Sequence, residues 1–153
     1  MPSKQKTIKV TAIKNGTVID HIPAGKGVEI LNHLNINNEQ NEVVLGINFG
    51  SEKNNKKDVL KIEKKEFTPE ELNQLAVFAT GATVNIIRNF EVSDKFDIEL
   101  PEIFHNIIKC PNPNCITNHE EAETRFIPIK NKPLKVECLH CEKIFCEQEL
   151  TLK

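Results

Sequence analysis

The 153-residue sequence lacks tryptophan and tyrosine, so its eight phenylalanines supply every aromatic ring. Its apolar runs are only a few residues long, whereas a membrane-spanning helix needs roughly 20. The N-terminal stretch MPSKQKTIKV has neither a hydrophobic segment of signal-peptide length nor a small-residue cleavage site. These absences predict a cytoplasmic protein with no membrane partner.

An excess of basic charge is also missing. The formal net charge is −2, with 13 basic and 14 acidic side chains in residues 1–100 and 7 and 8 in residues 101–153. A protein that neutralises many phosphates on a long nucleic acid needs a basic excess. The charge balance therefore argues against a nucleic-acid polymer as ligand, while a compact polyanion such as a nucleotide needs only a few well-placed cations.

Hydrophobic periodicity and turn residues predict an α+β fold for the first part of the chain. The predicted elements are two strands in 7–22 around an Asn15–Gly16 turn, a helix over 26–34, strands over 43–50 and 58–67, a helix from Thr68 to about Gly81 with Leu72, Leu75, Ala76 and Ala79 as its buried stripe, and a strand over 82–92. This order is that of a ferredoxin-like domain, an antiparallel sheet with two helices on one face.

The remaining chain predicts a linker and a second, smaller domain. Residues 93–108 mix charges with scattered apolar residues and indicate a linker that ends in a short helix or strand. All five cysteines follow, and FIPI and PLKVE between them provide two strands. We therefore expect an N-terminal domain over 1–100 and a small antiparallel-β, zinc-binding domain over 101–153.

Four of the five cysteines form two tight pairs, Cys110 with Cys115 and Cys138 with Cys141. Four thiolates on two turns match the tetrahedral shell that structural zinc prefers, and a domain of this size rarely buries enough apolar surface to fold unaided. Disulfides are rare in a reducing cytoplasm, and an iron centre would more often show symmetrical two-residue spacings. The spacing thus predicts one structural zinc per chain.

Nothing in the sequence predicts an active site. Four thiolates close the zinc shell, whereas catalytic zinc keeps an open position. The nearby histidines, His105, His119 and His140, are expected at the surface or beside the ligands. Cys146 is either a buried small side chain or an exposed thiol, and no Walker-type phosphate loop is present.

Four stretches, in this order and spacing, resemble the regulatory chain of aspartate carbamoyltransferase over essentially the whole length. They are AIKNGTVIDHIPAGKG, KDVLKIEK, ATVNIIRNFEV and LPE…CPNPNCITNHE…CLHCEKIF. The resemblance implies a non-catalytic subunit in pyrimidine biosynthesis. Its N-terminal domain would bind nucleotide effectors, with CTP inhibiting, ATP opposing it and UTP acting alongside CTP in some members. Its zinc domain would dock onto the catalytic chain, and three homodimers, paired through their N-terminal domains, would bridge two catalytic trimers.

The resemblance also implies an effector site. The backbone of the first strand would contact the base, Asp20 and His21 would lie near the ribose and phosphates, and Lys61 and Lys95 would offset phosphate charge. Phe90 stands where the family often has tyrosine, so a hydroxyl contact is absent. The implied effector-binding residues are Val10, Thr11, Ala12, Ile13, Asp20, His21, Lys61, Asn85, Ile87, Phe90, Val92 and Lys95.

The alternative function, from a different class, is a zinc ribbon that binds nucleic acid. Such a protein would present a basic face and exposed aromatic rings. Residues 101–153 instead hold one more acidic than basic side chain, and zinc with four thiolates adds about −2. The regulatory interpretation is therefore preferred. It predicts that residues around 111–114 and 139–145 contact the catalytic chain, and that Phe96, Ile98 and Leu100 lie where the two domains communicate.

Overall fold

The computed structural model describes residues 12–34, 36, 41–51, 55–131 and 133–153. They form two compact units whose segments alternate along the chain. The first unit comprises the described residues up to Phe67 together with Gly81–Asp97, and the second comprises Thr68–Thr80 together with Ile98–Lys153. The chain therefore passes between the units three times. In the described part of the chain, no helix has the length and apolarity to cross a membrane.

The regular elements are short, and strands predominate. The strands are β1 Gly16–Pro23, β2 Val43–Ser51, β3 Asn55–Glu63, β4 Thr83–Arg88, β5 Glu91–Asp97, β6 Phe104–His105, β7 Ile108–Lys109, β8 Arg125–Lys130, β9 Lys135–Cys138, β10 Ile144–Cys146 and β11 Thr151–Leu152. The helices are α1 Gly27–Leu34, α2 Pro69–Asn73 and α3 Ala76–Ala79, with single 3-10 turns at Ile116–Asn118 and Glu147–Glu149. The predicted α+β class is confirmed.

The first unit is built on a five-stranded antiparallel sheet in the order β2-β3-β1-β4-β5. Strands β1 to β4 have the ferredoxin-like arrangement, and β5 extends it at one edge. Alternation along the strands gives the sheet one apolar face, which buries Ile19, Ile22, Leu60, Ile62, Val84 and Ile86. Helix α1 packs against β2 and β3 and contributes the fully buried Ile30. The other face of the sheet is only partly covered.

The start of β1 requires glycine. Gly16 has a φ of +149°, and a Cβ atom there would lie 2.1 Å from the carbonyl oxygen of Ile62 on the paired strand β3. This close backbone approach explains why glycine occupies the second position of the predicted Asn15–Gly16 turn. Of the predicted strand before this turn, residues 7–11 lie outside the described residues, and residues 12–14 do not form a strand.

Three predicted elements differ from the observed ones. Residues 93–97, predicted as linker, belong to strand β5, and the strand predicted over 82–92 ends at Arg88 before a turn at Asn89 and Phe90. Because β5 is an edge strand that is exposed along nearly its whole length, its sequence shows none of the alternation by which strands are found. The helix predicted from Thr68 is interrupted at Gln74 and Leu75, although all four residues of its predicted stripe are buried.

The second unit contains a four-stranded sheet in the order β10-β9-β8-β6 and a two-stranded sheet of β11 and β7. The predicted strands FIPI and PLKVE correspond to β8 and β9. Phe104 and Phe126 are fully buried, and the ring of Phe126 lies 6.4 Å from that of Phe145. Helices α2 and α3 cluster with this unit, and the Gln74 side chain donates to the carbonyl of Ile103 and accepts from the N–H of His105.

Candidate metal centre and effector face

The two cysteine pairs of the second unit converge on one point. The sulfur atoms of Cys110, Cys115, Cys138 and Cys141 all lie within 4.8 Å of one another. The Cys110–Cys141 and Cys115–Cys138 sulfur distances are both 3.8 Å. A tetrahedral ion with metal–sulfur bonds of about 2.3 Å separates its ligands by about 3.8 Å, so the donor set has the dimensions of a zinc shell. None of the five cysteines forms a disulfide.

Turn geometry presents these sulfurs. Cys110 follows β7 and Cys138 ends β9, so strands anchor one member of each pair. The N–H of Cys115 donates to the carbonyl of Asn112 over 3.0 Å, which closes the turn that the Pro-Asn-Pro-Asn sequence predicts. The second pair lies on a tight turn in which Cys138 donates to Lys143 and accepts from Glu142. Each pair is thus positioned by backbone bonds rather than by the metal alone.

The electrostatics of the cluster favour a bound cation. Cys110, Cys115 and Cys138 are buried, and burial raises the pKa of Cys110 and of Cys138 because it disfavours the thiolate. Burial also acts on the half-buried Cys141, but hydrogen bonds from the Asn112 side chain and the Lys143 N–H lower its pKa to about 7. A dication would stabilise all four thiolates at once.

The histidines near the cluster contact other groups. The Nε2 atom of His119 lies 2.8 Å from the carbonyl oxygen of Pro113, and that of His140 lies 3.0 Å from the carbonyl of Glu123. His105 is exposed at the end of β6. Cys146 is half-buried at the end of β10 and is not part of the four-sulfur group. Among the described residues, the cluster is therefore purely cysteine.

The predicted effector residues lie mainly on the less covered face of the first unit's sheet. We call this the effector face and define it by Val18 and Asp20 of β1, Lys61 of β3, Asn85 of β4 and Lys95 of β5. The strand register aligns four of them. Lys61 is paired with Val18, Val18 with Asn85, and Asn85 with Lys95. Directly paired residues of antiparallel strands point to the same face, so these side chains form a row about 14 Å long across four strands.

A β-bulge adjusts one end of this row. The β1–β3 register shifts between Ile19 and Ile22, so Ile22 returns to the buried face while Asp20 and His21 both stay accessible to solvent. His21 has a φ of 59°, and its N–H donates to the Asp20 carboxylate over 2.6 Å. Bulges of this kind commonly redirect side chains next to binding sites.

Asp20 has a cationic partner that the sequence analysis did not single out. The Nζ atom of Lys57 lies 2.9 Å from the Asp20 carboxylate. Burial raises the pKa of Asp20, but the hydrogen bond from Lys57 and that from the His21 N–H outweigh it, so the net pKa is lowered. Lys57 and Lys61 are four residues apart on β3 and therefore share a face. Their even spacing, with Lys57 directly before the strand predicted over 58–67, is the sequence signal by which Lys57 could have been identified as a residue of the effector face.

The other implied effector residues that the structure describes lie on β4, on β5, in the turn between them or just before β1, and they differ in exposure. Ile87 is buried on β4 and is paired with Val92 of β5, which is 56% exposed. Phe90 is 65% exposed in the turn between them, and its N–H donates to the carbonyl of Lys14. Ala12 is exposed and Ile13 half-buried just before β1, whereas Val10 and Thr11 lie outside the described residues.

Comparison with known proteins gives matches over nearly the whole chain. Residues 8–99 match the family model described as aspartate carbamoyltransferase regulatory chain, allosteric domain, and residues 102–151 match the model of its metal binding domain. A relative from Pyrococcus horikoshii, called aspartate carbamoyltransferase regulatory chain, is 49% identical over 94% of this chain and 95% of its own length. Relatives of the same name from Psychromonas ingrahamii and Vibrio cholerae are both 42% identical, covering 92% and 97% of this chain and 93% and 97% of their own lengths.

Proposed function

Because the chain belongs to the family of aspartate carbamoyltransferase regulatory chains, we propose that it binds nucleoside triphosphates on the effector face and transmits their effect to a catalytic chain docked on its metal-binding unit. CTP is the proposed inhibitor and ATP its opponent, with UTP acting alongside CTP. The chain is a regulatory subunit rather than the catalytic one. The cytoplasm is its proposed location, since thiolate ligands need a reducing compartment.

One observation is the main support for the effector site: the register that aligns Lys61, Val18, Asn85 and Lys95 in one row. Lysines at both ends can offset phosphate charge, and the Asn85 amide can both donate and accept. Asp20, held by Lys57, offers acceptors for ribose hydroxyls. The Phe90 side chain has no hydroxyl to offer, so a contact with the base at this turn would use the backbone or the ring face.

We propose zinc as the metal of the second unit, one ion per chain, held by Cys110, Cys115, Cys138 and Cys141. The sulfur separations of 3.8 Å support it, as does the preference of zinc for four thiolates in structural sites. When bound, the ion stabilises the fold by joining the two turns. Four protein sulfurs leave no open position for a substrate, so the proposed role is structural.

The metal-binding unit is the proposed docking surface for the catalytic chain. The turn residues Pro113 and Asn114 are exposed. Two large apolar side chains, Ile116 and Ile144, are exposed by 48% and 55% beside the two cysteine turns. A partner that covers these turns would remove this apolar surface from water, and a closed metal site would present it with little ordering cost.

Pairing of two regulatory chains through their first units is also proposed. Strand β2 is at the edge of the five-stranded sheet, and Val44 and Ile47 on it are exposed by 36% and 49%. Val28 on the adjacent helix α1 is 44% exposed. An apolar edge strand of this kind invites pairing with another chain, which would remove apolar surface along β2 from water.

The experiment that tests the proposal is copurification with an aspartate carbamoyltransferase catalytic chain, followed by aspartate saturation curves with and without CTP and ATP. We expect a complex whose activity falls with CTP and recovers with ATP. Polar substitutions at the predicted communicating residues, for example Ile98→Thr or Leu100→Ser, should leave nucleotide binding largely intact and reduce its effect on activity. A complex that forms but ignores both nucleotides would refute the effector assignment, and failure to form any complex would refute the docking surface.

A further inference from the structure

Groups that bond to metal ligands from outside the metal shell help to orient those ligands. One such group lies beside the sulfur of Cys115.

The Thr117 hydroxyl oxygen lies 3.2 Å from the sulfur of Cys115. Thr117 is only 7% exposed and Cys115 only 1%, so bulk water does not compete for either group. A metal-bound cysteine is a deprotonated thiolate. The sulfur then has no proton to give, and the hydroxyl must be the donor in the metal-bound protein.

Neighbouring groups of the protein hold the turn that carries Thr117. Cys115 immediately precedes the 3-10 turn Ile116–Asn118. The Asn118 side chain donates to the carbonyls of Cys110 and Asn112 over 3.0 and 2.8 Å. This turn is therefore tied to the first cysteine loop by bonds within the protein, which place the Thr117 hydroxyl beside the Cys115 sulfur.

From this geometry we propose that Thr117 is a positioning residue of the metal centre, whose hydroxyl orients the Cys115 thiolate and strengthens retention of the ion. The inference rests on the proposed zinc site and deepens it. Four thiolates around a dication leave a net charge of about −2, and a hydrogen bond to a charged acceptor in a buried site is stronger than one between neutral groups. Outer partners of metal ligands typically affect metal affinity by about 10- to 100-fold.

The same unit offers a matched control. Thr124 is also a buried threonine, 1% exposed, and its hydroxyl donates to the carbonyl of Ile108 over 2.7 Å rather than to a sulfur. Thr117→Val and Thr124→Val are the same change in the same unit. Each removes one buried hydrogen bond at nearly constant side-chain volume, but only Thr117→Val removes one from a ligand.

The test uses the full chain loaded with zinc and, separately, with cobalt. The rate of zinc transfer to a chromogenic chelator at fixed pH measures retention, and the sulfur-to-cobalt charge-transfer absorption reports on the thiolates. Thr117→Val should release zinc about 10-fold faster than the parent, at the lower end of the usual range, and should shift the charge-transfer band to lower energy. Thr117→Ser should stay near the parent, and Thr124→Val should leave the band unmoved.

A second pair of variants keeps the inference falsifiable if valine prevents folding. Thr117→Ser and Thr117→Ala differ by a single oxygen atom, so equal release rates and equal cobalt spectra for the two would overturn the role of the hydroxyl. Faster release and a shifted band in the alanine variant alone would support it. A parent chain that binds neither zinc nor cobalt would instead refute the proposed metal centre, and the Thr117 role with it.

Discussion

Lys61 lies within the sheet, between β1 and β2, rather than at its rim. Burial lowers the pKa of its ammonium, and the nearby Asp20 carboxylate raises it in part. A cation that has lost some of its hydration interacts more strongly with an anion than a fully exposed one does. Lys95, at the edge on β5, is exposed. If a nucleotide lies along this row, the two lysines should therefore contribute unequally.

Replacing either lysine by alanine should weaken nucleotide binding, Lys61→Ala by about 10-fold or more and Lys95→Ala by less, since a hydrogen bond to a charged group contributes roughly 1.5–3 kcal/mol. Lys56→Ala is the matched control, because Lys56 is on the same strand but an odd number of residues away and so points to the other face. Calorimetric titration with CTP and ATP measures the affinities. Parent-like affinity in both lysine variants would place the nucleotide elsewhere.

Among the elements, β3 has a second role through Asp58. This carboxylate is fully buried and accepts hydrogen bonds from the N–H groups of Gly25, Gly27 and Asn48, over 3.0, 2.9 and 3.0 Å. It thereby joins β3 to the start of α1 and to the irregular part of β2. A Cβ atom at Gly27 would lie 2.9 Å from this carboxylate, so glycine permits the close approach.

Asp58→Asn should destabilise the first unit by on the order of 2–3 kcal/mol, because an amide nitrogen would face N–H donors and a charge-assisted acceptor would be lost. Asp94→Asn, on exposed β5, is the control and should change stability by less than about 0.5 kcal/mol. Urea unfolding monitored by circular dichroism gives both values. Equal stability of the two variants would mean that Asp58 is not a structural link.

The helices and strands also differ in how well the sequence predicts them. Features with a distinctive local pattern were predicted: the Thr68 hydroxyl accepts from the N–H of Glu71 as its helix-start pattern indicates, and α1 falls within one residue of its predicted start. Exposed β5 was missed, because an edge strand without apolar alternation resembles a linker. The cysteine spacing predicted which residues converge, but the lateral alignment of Lys61 with Asn85 and Lys95 depends on strand register, which one sequence alone does not specify.

At the scale of the whole molecule, the folding of the second unit should depend on its metal. The unit is small and its four-cysteine cluster joins two turns, so loss of a structural ion removes a large part of its folding energy, about 10–16 kcal/mol in zinc-finger peptides. Helices α2 and α3 cluster with this unit although their residues lie between strands β3 and β4. Their order should therefore follow the metal rather than the sheet that flanks them in sequence.

Cys110→Ser should abolish stoichiometric zinc binding and unfold the second unit, while Cys146→Ser, outside the cluster, should do neither. Hydrogen exchange followed by mass spectrometry resolves the pattern. In the Cys110 variant, amides of 68–80 should exchange as fast as those of 101–153, while β1, β3 and β4 stay protected. Protected helices beside an unfolded second unit would show that they are stabilised by the sheet. Treating the parent complex with a mercurial should likewise release the catalytic chain.

The three crossings of the chain limit how related regulatory chains can recombine. The Asn73 side chain accepts from the N–H of Glu99, and Gln74 bonds to Ile103 and His105, so partners in the second unit are encoded about thirty residues apart on either side of β4 and β5. A hybrid gene with a single junction near residue 98 would join helices from one parent to a metal-binding unit from the other. Only hybrids that exchange residues 68–80 together with 98–153 keep these partners matched. A substitution in one of these segments should therefore be tolerated best when its partner in the other segment changes with it.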